Sequence, residues 1–175
     1  MILYHGSPHS FTKFEHKHIG SINGTGGLGR GFYFSSDKQV ASSYARLGNR
    51  IQGYLYKVEA TLGEPLSDEH KMNRDFFLEI VLNLSNVDPS FLLDYVEGVN
   101  DREDIAMAAE KVVDMLYEYE DNDADLINSL LSASPGCYEN LANILYIYNI
   151  THTERSYEAN GTTYKNYAIL SNKSF

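Results

Sequence analysis

The chain opens on an apolar run, Met1-Ile-Leu-Tyr4, that ends in His5-Gly6-Ser7. This is the pattern of a short strand delivering polar groups at its C-terminal end. Gly31-Phe-Tyr-Phe-Ser35 is aromatic enough to predict a second strand. Ser36 then stands as an N-cap with Gln39 three residues on, a capping-box pair. The helix it opens carries Val40, Tyr44 and Leu47 on one face, with Gly48 as its stop. A third strand is predicted at Gly53-Tyr-Leu-Tyr-Lys-Val-Glu-Ala60. Beyond it the hydrophobic period changes to the helical one. Helices are expected over 75–84, from Asp88-Pro89 with Phe91, Leu92 and Tyr95, over 101–120, over 123–131 and over 138–145. The third of these has the clearest stripe, Ile105, Ala108, Ala109, Val112, Val113, Leu116 and Tyr119. The chain closes on strand-like runs either side of Asn160-Gly161, a two-residue hairpin signal.

Strands at both ends and helices between them predict an α+β fold with an all-helical insertion at 67–150 in one domain, 1–175. A chain of 175 residues suits one such domain and buries a real core. The single cysteine, Cys137, excludes a disulfide framework and is expected to be a small buried hydrophobe. No basic-then-apolar leader and no membrane-length run is visible, so a cytoplasmic protein with no membrane partner is expected. Net charge is −10 but uneven: +3 over residues 1–66, −14 over 67–151 and +1 over 152–175. The acidic middle would repel phosphates, which argues against a nucleic-acid substrate and for a protein target. It reads either as a structural cap or as an acidic surface for a basic partner.

The candidate chemistry lies at the N-terminus. Tyr33 on a strand and Tyr44 two turns into the next helix are close enough to share one wall of a pocket. With the His5-Gly6 edge they could sandwich a flat ring and bond its amide, as a nicotinamide requires. Two core tyrosines with satisfied hydroxyls would give the same pattern.

Tyr4-His5-Gly6-Ser7, Gly29-Arg-Gly-Phe-Tyr33-Phe34 and Tyr44 resemble the NAD-binding half of ADP-ribosyltransferases of the diphtheria-toxin and poly(ADP-ribose) polymerase type. The opening Tyr-His-Gly-Ser-Pro-His and Phe11-Thr-Lys-Phe14 look most like such domains of phage and mobile-element proteins. The likeness covers about the first 50 residues and a short C-terminal strand. It implies a split, mixed β-sheet core and NAD as substrate, with no metal. By the resemblance His5 would hold a ribose hydroxyl and Gly6 the carboxamide through its backbone. Tyr33 and Tyr44 would hold the ring, and Ser7 and Phe34 would complete the NAD site. Ser7 would bond a ribose or phosphate, or only cap the turn after its strand.

The family's third element is a strand led by a glutamate on the ribose 2′-hydroxyl. The matching segment, Lys165-Asn-Tyr-Ala-Ile-Leu170, has Asn166 there, so the catalytic set would be His5, Tyr33 and Asn166. A neutral amide oxygen stabilises the developing charge less than a carboxylate does. The implied activity is transfer of a single ADP-ribose to a protein target, by a phage-type effector acting on a host or defence protein. Alternatives are an NAD glycohydrolase, an inactive homologue, or a non-enzymatic inhibitor binding a basic partner through the helical insertion. An RNA 2′-phosphotransferase shares the fold but needs a basic groove. Glu154 and Glu158 could supply a displaced carboxylate, or be solvated hairpin charges. Gly24-Thr-Gly-Gly-Leu-Gly29 matches a dinucleotide fingerprint, but a strand follows where a helix is needed. His9, His16 and His18 lack a fourth ligand for zinc. The polar segment 13–22 is expected to fold over the cofactor as a lid.

Overall fold

The computed structural model describes residues 1–19, 28–46, 53–96, 102–133, 135–159 and 161–175. The chain divides into two compact units, one of Met1–Pro65 with Ile150–Phe175, the other Leu66–Asn149.

The first unit is a mixed six-stranded sheet in the order β3-β1-β2-β6-β5-β4. Its strands are β1 (Ile2–Ser7), β2 (Phe32–Ser35), β3 (Tyr54–Glu59), β4 (Glu64–Pro65), β5 (Ile150–Ala159) and β6 (Thr162–Ile169). All neighbours are antiparallel except β4 and β5, which run parallel. Cross-strand partners share a face. One face therefore carries Leu3, Phe32, Phe34, Tyr167 and Ile169, which form the buried core with Ala60. Phe14, Ile19, Leu62 and Phe175 close over it. The described part of the expected lid, 13–19, thus packs by Phe14 and Ile19 against the core, because its two apolar side chains find more to bury there than over a polar ligand. Residues 20–27, which hold most of the glycine-rich run, lie outside the described residues.

Helix α1 (Lys38–Ala45) covers the other face. It starts one residue later than the capping-box pattern predicts. The Asp37 carboxylate accepts from the amides of Gln39 and Val40 at 2.6 and 3.0 Å and is the N-cap. Ser36 is committed to the sheet instead: its amide donates to the Lys165 carbonyl and its hydroxyl accepts from the Lys165 amide, both at 2.9 Å. The face that α1 buries is Ala41 and Ala45 rather than the expected Val40 and Tyr44. Two glycines explain the choice. A Cβ on Gly6 would overlap the Ala41 carbonyl and come within 2.7 Å of the Ala45 amide, and one on Gly53 would overlap the Ala45 carbonyl. Only methyl-sized residues permit so close a crossing. Tyr44 is left half exposed, and Leu47 and Gly48 lie outside the described residues.

The second unit holds α2 (Arg74–Val87), a 3-10 turn over Pro89–Asp94, α3 (Arg102–Tyr119), α4 (Asp123–Ala133) and α5 (Tyr138–Ile147). The expected second helix is the 3-10 turn, opened by Asp88, whose carboxylate accepts from the Ser90 amide. The α3 stripe is buried from Ala108 to Leu116, while Tyr119, at its end, is 74% exposed. Cys137 is buried. The buried Asp123 carboxylate accepts from the amides of Ser67, at 3.2 Å, and Met72, tying the chain before α2 to the start of α4.

The Gly53 crossing gives a direct test. Gly53→Ala should destabilise the protein by about 2–3 kcal/mol through overpacking. Gly136→Ala, where a Cβ meets nothing within 4 Å, should stay within about 0.5 kcal/mol of wild type. Urea denaturation midpoints of the two variants decide it.

Candidate active site

The site begins where the sheet opens. Strands β1 and β3 pair continuously from Ile2↔Glu59 to Ser7↔Tyr54, whereas β1 and β2 pair at a single register position, Tyr4↔Ser35, among the described residues. Met1 and Ala60 exchange both backbone bonds, so Met1 is a hydrogen-bonded pair with that side. Antiparallel ladders alternate, so Tyr4 and Gly6 aim their N–H and C=O groups toward β2. Tyr4 meets Ser35 there. Gly6 faces the opening, outside the β1–β2 ladder.

His5 bridges the same opening from the core face. Its Nδ1 lies 2.7 Å from the Tyr33 carbonyl. A carbonyl only accepts, so Nδ1 carries the proton and Nε2 presents a lone pair. The ring sits among Phe11, Phe14, Phe34 and Tyr56, with centroids 5.2 to 6.1 Å away. Burial lowers its pKa from 6.5, against a smaller raising effect of the Tyr33 carbonyl. The imidazole is neutral at pH 7 and suited to accept from a hydroxyl. Phe11 stacks on Tyr56 at 4.2 Å and donates its amide to the Tyr56 hydroxyl at 2.7 Å, which fixes the wall behind His5.

Tyr33 projects to the α1 face. Its hydroxyl donates to the Gly29 carbonyl. Burial pushes its pKa up to about 12, a backbone bond at Leu28 opposes this, and Tyr157 and Tyr44 add to the rise. Tyr33 thus lies on the side of the sheet that α1, the helix carrying the half-exposed Tyr44, covers.

Asn166 lies on that same face, paired with Ser35 on β2 and Arg155 on β5. Its Oδ1 is fully buried and has no hydrogen-bond partner among the described residues. Leaving a buried amide oxygen unpaired costs about 1–3 kcal/mol, so Oδ1 is an acceptor with unused capacity on this face. The hairpin carboxylates do not reach this face. Glu154 pairs in register with Tyr167 on the core side and bonds Lys165, with His152 Nε2 at 3.5 Å from its other oxygen. It is an internal ion-pair partner rather than a solvated charge. Glu158, two residues on, shares its face and is exposed.

Phe34 and Ser7 also project to the core side. Phe34 is 3% exposed and packs behind His5. The Ser7 hydroxyl accepts from the His9 amide at 3.1 Å and so caps the turn after β1. Sequence reasoning passed over the stacked pair Tyr157–Tyr164, centroids 5.6 Å apart and 18° between planes, which lies on the Asn166 face. The signal was available. Two residues separate Ala159 from Thr162 in the chain, which sets these opposite each other and hence Tyr157 opposite Tyr164.

Among protein families, the model described as "ADP-Ribosyltransferase in polyvalent proteins" matches residues 1–128. The match takes in β1 to β4 and α1 to α3, well beyond the N-terminal motifs, and ends inside α4, before the strand with Asn166. No curated protein and no solved structure matches the chain.

A pH dependence follows from the buried imidazoles. Burial also lowers the His152 pKa, with Glu154 opposing it. A histidine whose folded pKa is depressed contributes stability that is present above its unfolded value of 6.5 and lost as pH falls toward the folded value. Urea midpoints should therefore drop from about pH 7.5 to about pH 5.5. The drop should be shallower in His5→Gln, which keeps an N–H for the Tyr33 carbonyl but does not titrate.

Proposed function

The chain belongs to the ADP-ribosyltransferase family of polyvalent proteins, and from that premise we propose that it is an NAD-dependent mono-ADP-ribosyltransferase modifying a protein target. The family's reaction is the transfer of an ADP-ribosyl group. The observation that carries the finer reading is the buried, unpartnered Asn166 Oδ1 on the face that also holds Tyr33 and α1, beside the opening lined by the Gly6 backbone.

NAD, when bound, supplies the ADP-ribosyl group and loses nicotinamide. Each residue then has a defined part. The Gly6 N–H and C=O pair with the carboxamide, which has one donor and one acceptor group to offer. Tyr33 and Tyr44 cover the ring. His5, neutral, accepts a ribose hydroxyl at Nε2. Asn166 accepts the 2′-hydroxyl next to the carbon whose bond breaks, where positive charge develops as in glycoside hydrolysis. Its amide oxygen orients that hydroxyl but carries no charge, which favours one transfer over repeated elongation. The acidic 67–151 segment favours a basic protein as the target over nucleic acid. A phage-type effector acting on a host or defence protein is the corresponding biological role.

Incubating the protein with host lysate and biotinylated NAD should label a discrete protein band. Tyr33→Ala or Asn166→Ala should abolish it. Free ADP-ribose without a labelled band would replace transfer by hydrolysis, and neither product would sink the reading. Asn166→Glu should raise nicotinamide release about tenfold, since a charge-assisted bond is worth about 1–1.5 kcal/mol more than a neutral one.

A further inference from the structure

Ring stacking requires Tyr33 to hold one orientation, and its side chain is fixed at the far end, through the hydroxyl on the Gly29 carbonyl. Gly29 has φ 80°, a left-handed geometry that glycine adopts freely. The residue before it, Leu28, is buried, and its carbonyl accepts from Thr153 Oγ1 at 2.5 Å. Thr153 stands on β5, two strands from Tyr33. The register explains how the two connect. Tyr33 pairs with Ala168 and Ala168 with Thr153, so the three form one row with their side chains on one face. Strands about 4.8 Å apart put Tyr33 and Thr153 roughly 10 Å from each other. The Ala168 methyl between them is small enough for the Leu28–Gly29 peptide to lie across it. Gly31 is pressed onto the same residue: a Cβ there would come within 2.9 Å of the Ala168 carbonyl carbon.

We propose that Thr153 is a positioning residue for the transferase site, its hydroxyl pinning the Leu28–Gly29 strap across Ala168 so that the strap holds the Tyr33 hydroxyl and thereby the ring that covers the pyridine. The proposal rests on the NAD reading above. Thr153 is 6% exposed and bonds only backbone in this chain of contacts, so it acts through Tyr33. Without its hydroxyl the buried Leu28 carbonyl loses its donor, the strap loosens, and the Tyr33 ring loses its far anchor. Bond breaking depends on Asn166, a different side chain. The loss therefore falls on NAD binding and on KM, with kcat held.

The test uses the full chain labelled with 3-fluorotyrosine, NAD titrated by calorimetry, and the Tyr33 fluorine line assigned with Tyr33→Phe. Thr153→Val should weaken NAD binding roughly tenfold, the worth of one neutral hydrogen bond, and should shift the Tyr33 line. Thr153→Ser should restore both. A Thr153→Val protein that melts earlier yet keeps the wild-type NAD affinity and Tyr33 line would overturn the proposal, reducing the hydroxyl to a stability role. If Thr153→Val fails to fold, Tyr33→Phe, which cuts the same anchor from the other end, is read alone, and wild-type NAD affinity there overturns it equally. Wild-type protein that gives no heat with NAD defeats the cofactor reading. The fluorine line then decides the strap by itself, and an unmoved line refutes it.

Discussion

The site depends on one interrupted ladder. Had β1 and β2 paired along their length, the Gly6 backbone groups and the Tyr33 carbonyl would have satisfied each other and the sheet would have been closed. Among the described residues they pair only at Tyr4↔Ser35. His5 takes the Tyr33 carbonyl with its side chain instead, at 2.7 Å. A backbone acceptor left over by the opening is thus paired from within the chain, while the Gly6 amide is left facing the gap. A buried polar group has to be satisfied somewhere, and the imidazole does so without closing the sheet. This places a requirement on its charge. A protonated His5 would still donate from Nδ1, but it would lose the Nε2 acceptor and would carry a charge among four aromatic rings. The aromatic cage that lowers its pKa keeps it in the form the opening needs.

The two faces of the first unit divide the ionic and neutral chemistry. On the core side, Glu154 is bound by Lys165 and approached by the buried His152, whose Nδ1 lies 2.9 Å from the Thr151 hydroxyl. On the α1 side of β5 and β6, the alternation of Thr151, Thr153, Arg155, Tyr157 and Ala159 with Thr162, Tyr164, Asn166 and Ala168 contains no carboxylate. The strand pleat, with its period of two, decides this, since moving Glu154 across would turn the buried Ile150 and His152 of the same strand away from the core. On that face of β5 and β6 the charged residue beside Asn166 is therefore Arg155, its register partner.

Much of this was legible in the residues, and for identifiable reasons. The strands at Ile2, Phe32 and Tyr54, the antiparallel pair β5–β6 and the helical middle follow from period and turn chemistry, which are local. The α3 stripe is buried from Ala108 to Leu116 as its spacing requires, though not at Tyr119. What failed was decided by distant partners. Ser36 has the chemistry of a cap, but Lys165 occupies it from 129 residues away. Tyr44 and Val40 have the hydrophobicity of a packing face, but Gly6 and Gly53 let the helix approach so closely that only Ala41 and Ala45 fit beneath it. Phe34 reads as part of a ligand motif from its place next to Tyr33. Alternation alone sends it to the other face, into the core. Tyr157 opposite Tyr164 could have been derived from the turn. The Thr153–Leu28 bond could not, since it spans 125 residues and rests on a carbonyl.

Gly6 shows why a packing account and a recognition account need not compete. Its Cα hydrogen faces α1, where any Cβ would overlap the Ala41 carbonyl. Its N–H and C=O lie in the plane of the sheet, perpendicular to that contact, and point into the opening between β1 and β2. The absence of a side chain is what brings α1 down onto the strand, and α1 is what carries Tyr44 toward Tyr33. Helix approach, and with it the proposed amide recognition, would both follow from one missing methyl group. Loss of NAD binding in Gly6→Ala would accordingly say nothing about which role had failed. Thr153 and Asn166, which stand in different rows of the sheet, are the positions at which the proposed ring orientation and hydroxyl recognition would come apart.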